Sequence, residues 1–331
     1  MRDNDSAIAL APIAVPSGRG SGTLLAALGV TAFSLTFPAT AWALEGMGPW
    51  TVTAGRTALA GLIAVCWLAL ARTPPPERRH WPGLATVAAG CVLGFPLLTT
   101  LALRTSGTAH SAVVVGLLPL TTAGYAALRS GARLSPAFWA AAGTGGAAVA
   151  LFAAVDGGGL PSRADLLLGV ALLLCAAGYG EGGRLARELP GREVMFWALA
   201  ASLPFALPAL AAALAAEPAR PTGRAAAGLL WLAVGSSLLG MVLWYRGLAL
   251  AGVARGGQLQ LAQPLLTVAW SVLLLGERLP PAALPTAAAV LLCIAATQRA
   301  PRARSPRDPL PAPPPAPDAP AVPMAPAPRA Q

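Results

Sequence analysis

Ten stretches of mostly apolar residues, separated by short polar gaps, leave this chain little choice but a bundle of membrane-spanning helices. They run over about Thr23–Ala43, Trp50–Ala71, Trp81–Leu103, Gly107–Leu128, Pro136–Val155, Ala164–Gly183, Val194–Ala215, Gly223–Tyr245, Val253–Gly276 and Pro280–Gln298. A bilayer-spanning helix takes about 20 such residues, so each stretch is expected to cross once. Gaps of a few residues make neighbouring helices antiparallel hairpins. The chain is 56% hydrophobic and 11% charged, with mean hydropathy +0.63. Soluble domains carry about 25% charged residues, and a chain this apolar has no surface to offer water. The class expected is all-α integral membrane.

All 23 basic residues are arginines, and their placement sets an orientation. Arg72, Arg78, Arg79, Arg129, Arg133, Arg184, Arg187, Arg192, Arg246 and Arg255 fall in one set of alternate connections, and Arg104, Arg163, Arg220, Arg224 and Arg278 in the other. Both tails fall on the richer side. Both termini are therefore expected in the cytoplasm, in a multi-pass protein of the plasma (inner) membrane, and ten spans meet the required even number. Residues 1–22 read as a polar cytoplasmic tail. Residues 299–331, with Pro311-Ala312-Pro313-Pro314-Pro315, read as a disordered Pro/Ala-rich one. Ala41-Trp42-Ala43 resembles a signal-peptidase site, but equally apolar segments follow, so the first span is expected to stay uncleaved. Cys66, Cys91, Cys175 and Cys293 sit in apolar runs without CxxC spacing and read as buried structural thiols. The basic charge is a topology signal, and no nucleic-acid partner is expected.

One pattern occurs twice. Pro119-Leu120 followed by Gly131-Ala132-Arg133-Leu134 returns 145 positions later as Pro264-Leu265 followed by Gly276-Glu277-Arg278-Leu279. The same offset pairs Leu103 with Leu248, Gly107 with Gly252, Ala109 with Ala254, Thr122 with Thr267 and Pro136 with Pro281. Residues 23–155 and 164–298 then form two repeats of five spans. An odd number of spans makes the second repeat enter the membrane from the opposite side. Such inverted repeats hold a binding site between them near the midplane and give two similar arrangements, open inward or outward.

Leu117-Leu118-Pro119-Leu120 with Gly131-Ala132-Arg133-Leu134, and Gln263-Pro264-Leu265-Leu266 with Gly276-Glu277-Arg278-Leu279, resemble the paired signatures of the EamA domain in the drug/metabolite transporter (DMT) superfamily. Phe33-Ser34-Leu35-Thr36-Phe37-Pro38 in the first span fits the same pattern. The resemblance covers residues 23–298. It implies ten helices in two inverted five-helix repeats, a central substrate cavity, and export of small metabolites as the commonest role. Ala132 stands where the second copy has Glu277, which implies that an ion pair of that turn is missing from the first half.

A few polar residues stand out from the apolar spans. Glu181 is the only carboxylate well inside one. It either carries a proton or pairs with Arg184 one turn on. Gln258, Gln260 and Gln263 face apolar counterparts Val113, Val115 and Leu118 in the other repeat, which suggests contacts to a polar ligand made by one half only. Interhelical hydrogen bonding is the plainer reading of the same glutamines. Pro119 and Pro264 are expected to kink matching helices, as gates or fixed bends. Arg56, about two turns into the second span, is expected to snorkel to the interface, with contact to an anionic substrate as the other reading. His110 reads as an interfacial hydrogen-bonding histidine. Trp50, Trp81, Trp139 and Trp244 read as interface anchors, while the less terminal Trp270 is a cavity candidate. Gly178-Tyr179-Gly180-Glu181-Gly182-Gly183 matches GxGxxG but ends a span, so the glycines are read as helix-contact residues and not as a nucleotide loop.

The function expected is secondary active transport: export of a small metabolite or drug-like compound by alternating access, with proton antiport as the first coupling. Import, or a non-transporting scaffold or sensor, is the alternative. No metalloprotease motif, paired intramembrane aspartates or ATP-binding loop is present, so neither an enzyme nor a self-powered pump is expected. No cofactor or metal is expected. The partners are the bilayer and a small-molecule substrate, and the architecture admits a homodimer.

Overall fold

The structure, a computed structural model, describes residues 19–131, 136–156, 160, 162–217, 219–220, 222–251 and 259–299. The described residues are helices and connecting turns, with no strand among them. Eight helices are long and apolar enough to cross a membrane: α1 Gly20–Leu44, α2 Pro49–Leu70, α3 Arg78–Ala102, α4 Thr108–Arg129, α5 Pro136–Val155, α6 Arg163–Leu185, α7 Gly191–Ala216 and α8 Gly223–Gly247. Two shorter apolar helices follow, α9 Ala262–Leu275 and α10 Ala283–Ala295. The ninth stretch was expected to begin at Val253, but residues 252–258 lie outside the described ones, as do both tails. The tenth starts past Pro280-Pro281, which cannot donate to a preceding turn.

The repeat seen in the sequence returns in the helix contacts. The α2–α7, α4–α9 and α5–α10 contacts each join a helix to its own counterpart, and α1 packs on α8 much as α3 packs on α6. Small residues permit these approaches. A Cβ on Gly228 of α8 would come within 2.5 Å of the Ala39 carbonyl of α1, and one on Gly178 of α6 within 2.5 Å of Cys91 Sγ of α3. Two glycines of the GxGxxG match thus serve helix packing, Gly180 likewise lying against the ring of Tyr125, whereas a Cβ on Gly183 would meet nothing within 4 Å.

Both repeats share two irregularities. The first is the turn after the repeated proline. Gly131 and Gly276, 145 positions apart, are both left-handed, at φ 68° and 66°, where a Cβ is disfavoured. The second was not anticipated. α3 is π-helical over Ala88–Gly94 and α8 over Trp231–Gly240, and Ala88, Gly90 and Leu93 correspond to Ala233, Gly235 and Leu238 at the same offset. π-Helical segments are rare, and those inside α-helices concentrate at functional sites.

Cys175 is buried, Cys91 and Cys293 are half-buried, and Cys66 is exposed, so the expectation of four buried thiols fails at Cys66; all four are free. Trp50, Trp81 and Trp139 are exposed near helix ends, whereas Trp244 packs edge-on against Phe33 with centroids 6.4 Å apart.

Candidate functional site

Proline and π-turns together build a cavity between the repeats, walled by α1–α4 from one half and by α6–α9 from the other. Its volume is about 120 Å³, below the ~300–1,000 Å³ of pockets for drug-sized ligands.

Pro38 and Pro96 lack the N–H that would bond to the carbonyl four residues earlier. In α1 the freed carbonyl is that of Ser34, and Thr267 of α9 donates its hydroxyl to it at 3.0 Å. In α3 it is that of Val92, and Thr57 of α2 donates to it at 3.3 Å. Hydroxyls of neighbouring helices thus satisfy the backbone carbonyls that the prolines leave free. Thr57, Val92, Pro96 and Thr267 all stand on the cavity wall.

The candidate residues divide around this cavity. Gln260, Gln263, Pro119, Pro264 and Arg56 line it. Gln258 lies outside the described residues. Pro119 and Pro264 do not interrupt continuous helices. Each falls in the first turn of a helical segment, Leu118–Ser130 and Ala262–Leu275, where a missing N–H breaks no helical bond. In place of the expected mid-helix kink at the proline, the turn before it is tightened: the Gly116 amide is shared between the Ala112 and Val113 carbonyls, at 3.0 and 3.1 Å, and the Leu117 amide returns to Val114 at 3.2 Å. Trp270 is outside the cavity wall, and its indole donates to Ser34 Oγ at 2.9 Å, tying α9 to α1.

Arg56 does not snorkel. It is 8% exposed, and its Nη2 donates to Ser237 Oγ at 2.9 Å. The Ser237 hydroxyl donates onward to the Leu232 carbonyl at 2.9 Å, across the π-turn. The π-segments themselves supply matching wall residues, Cys91 and Val92 from α3 against Ser236 and Ser237 from α8. With Gln260 and Gln263 opposite Val115 and Leu118, the second half carries the more polar wall.

Glu181 is buried but off the cavity wall. Its oxygens accept from Arg129 of α4 at 3.0 Å and Arg184 at 2.8 Å, so it joins α4 to α6. Nearby, buried His80 meets Glu188 at 3.0 Å and Arg79 meets it at 3.2 Å. The hydrogen bond from His80, reinforced by the charges of Arg79, His80 and Arg184, holds the Glu188 carboxyl below its ordinary value.

At the other end of the bundle, carboxylates of the second half cap helices of the first. Left-handed Gly276 turns Glu277 back onto α4, where its oxygens accept from the Thr108 and Ala109 amides at 2.8 and 3.0 Å. The motif glutamate is thus a helix cap placed across the repeat interface, where an ion pair of the turn was expected. Glu217, after α7, does the same for α2, accepting from the Thr51 amide and hydroxyl, both at 2.8 Å. Arg224 meets Glu45 at 3.3 Å, and His110 meets Asp165 at 2.7 Å while stacking on Phe152. Sequence reasoning missed both caps, since nothing local relates Glu217 to Thr51 or Glu277 to Thr108. Among the described residues no three His, Cys, Asp or Glu side chains gather as a metal site.

Comparison with known proteins agrees with this architecture. The model of the EamA-like transporter family matches twice, over residues 20–154 and 163–297. The uncharacterized transporter YdeK of Bacillus subtilis (strain 168) is 40% identical over 273 residues, covering 82% of this chain and 95% of its own. A protein of known crystal structure superposes with TM-score 0.58 at 24% identity, over 85% of this chain and 97% of its own. At that identity the likeness speaks for the fold alone.

Proposed function

Because the chain belongs to the EamA-like transporter family, within the drug/metabolite transporter superfamily, we propose that it is a secondary transporter moving a small metabolite through the cavity between its halves by alternating access. It is a multi-pass membrane protein. In this reading α9 and α10 complete ten spans, the two repeats are inverted, and both termini lie in the cytoplasm under the plasma (inner) membrane. Export is the direction that the family resemblance favours.

The observation that carries this reading is the pairing of α2 and α4 each with its own counterpart, α7 and α9, around one cavity, with α5 and α10 paired outside it. Two similar halves meeting about a two-fold relation have two near-equivalent ways to tilt, each exposing the same site to one side. The cross-repeat caps of Glu217 and Glu277 tie the halves at the end where α2 and α4 begin, so in this arrangement that end is held shut. They must part when the site opens there. In this reading Glu181 is an ion-pair residue and not a proton carrier, because both its oxygens accept from arginines of the two helices it joins. Its role is to position α4 against α6.

The test compares metabolites inside cells and in spent medium, with the intact protein set against Gln263→Ala at equal membrane abundance. A compound that leaves cells only with the intact protein supports export. Accumulation inside reverses the direction, and no difference across a broad panel removes the transport reading.

A further inference from the structure

Arg56 is the only charged side chain on the cavity wall among the described residues. It is nine-tenths buried, and no carboxylate of the described residues comes within ion-pair distance of its guanidinium. Its one hydrogen bond there goes to a neutral hydroxyl, Ser237 Oγ. A guanidinium has five donors in a planar fork, and burying one without an anion is costly. Nothing in its repeat explains it, because the equivalent position in α7 is Ala201.

The surroundings narrow what neutralises it. Phe33, Phe37, Phe95, Met195, Leu199 and Met241 supply an apolar remainder to the same wall. Among the described residues no carboxylate stands on the wall to receive an ammonium group, and Arg56 repels cations, which disfavours amines and zwitterions. One guanidinium balances one negative charge, so a phosphate dianion would keep a charge unmatched in an apolar site. A carboxylate matches the planar fork with two parallel hydrogen bonds.

We propose that the cavity is an anion site selective for a small organic monocarboxylate, its head on Arg56 beside Ser237 and its apolar body against the phenylalanine and methionine side chains. The assignment rests on the transport reading of the same cavity and names the class of its cargo. Arg56 is the specificity-determining residue, and the Ser237–Leu232 chain holds its guanidinium aimed into the site.

The test uses the purified full chain in detergent, with phenylacetate and 4-methylpentanoate as probes. Phenylacetamide and 4-methylpentanamide serve as neutral isosteres, and phenethylamine as the cation. Calorimetric titration is expected to show each carboxylate binding roughly 10- to 100-fold tighter than its amide, the range that a hydrogen-bonded charge contributes. Arg56→Gln should bring the carboxylate down to the level of the amide and leave amide binding unchanged. Arg56→Lys, which keeps the charge but not the fork, should retain part of the preference, so the proposal stays testable if Arg56→Gln does not fold. Amide or amine binding as tight as the carboxylate, carboxylate affinity unchanged in Arg56→Gln, or no carboxylate binding to folded wild type would each overturn it. Flux of a neutral or cationic compound that survives Arg56→Gln would refute this assignment alone, whereas absence of flux for every compound would refute the transport reading beneath it.

Discussion

Replacing Glu277 with alanine removes the acceptor that holds two buried amides of α4. The bonds are 2.8 and 3.0 Å long, and Thr108 and Ala109 are each only 2% exposed. A hydrogen bond to a charged group contributes about 1.5–3 kcal/mol, and losing a helix N-cap costs about 0.5–2 kcal/mol. Glu277 is itself partly exposed, so water can replace some of what is lost, and a net cost of about 2 kcal/mol is expected. At about 2–4 °C per kcal/mol in domains of 150–250 residues, the midpoint of thermal unfolding in detergent should fall by roughly 4–8 °C. Glu277→Gln, which keeps one carbonyl acceptor, should lose about half as much, and Arg278→Ala on the neighbouring exposed residue almost nothing. Because the cap joins the two halves, its loss should also favour the arrangement open at that end, by roughly 30-fold for 2 kcal/mol. A thiol reagent applied from that side to Ser236→Cys on the cavity wall, with the native cysteines replaced, should then react faster. Unfolding midpoints equal for Glu277→Ala and Arg278→Ala, with unchanged labelling, would refute the cap and its part in closing that end.

Gly276→Ala meets no atom within 4 Å, so its cost should be the left-handed backbone alone, about 1–2 kcal/mol; a much larger loss of stability would show that contacts are involved. Gly228→Leu should prevent α1 and α8 from packing and yield little folded protein, and normal yield with a wild-type melt would contradict the close approach of these helices. The lowered Glu188 pKa stabilises the folded state above the ordinary carboxylate value of 4.5 and loses that contribution as pH falls through the folded value, so the gap in melting temperature between wild type and Glu188→Gln should close below pH 4.5. A gap that widens on acidification would reverse the sign. Inside-negative vesicles should accelerate efflux of a monocarboxylate, one charge across 100 mV being worth about 2.3 kcal/mol; efflux indifferent to an imposed potential would contradict net movement of an anion.

The apolar helices were legible because lipid imposes a length and a composition that few other contexts require. The turn glycines were legible too: Gly131 and Gly276 repeat because each ends a helix in a conformation that disfavours a side chain. Polarity in an apolar span marked Arg56, Gln260 and Gln263, all on the cavity wall, but it could not distinguish them from Glu181 or Trp270, which face neighbouring helices. Burial alone does not reveal which way a side chain points. The distance of Arg56 from the helix end allows it to snorkel, and only the position of Ser237 on the other repeat decides otherwise. The π-turns left one faint trace. Ser236-Ser237 stands against Cys91-Val92 at the repeat offset, the same polarity contrast that singled out the glutamines. The caps left none, since Glu217 and Glu277 act on residues more than 160 positions away.

The central claim, one site exposed alternately by two halves, is tested most directly by exchange in proteoliposomes. Labelled cargo loaded inside should leave faster when unlabelled cargo is added outside, and the rate should saturate. Efflux that neither saturates nor responds to external cargo would contradict alternating access and point to a passive pore.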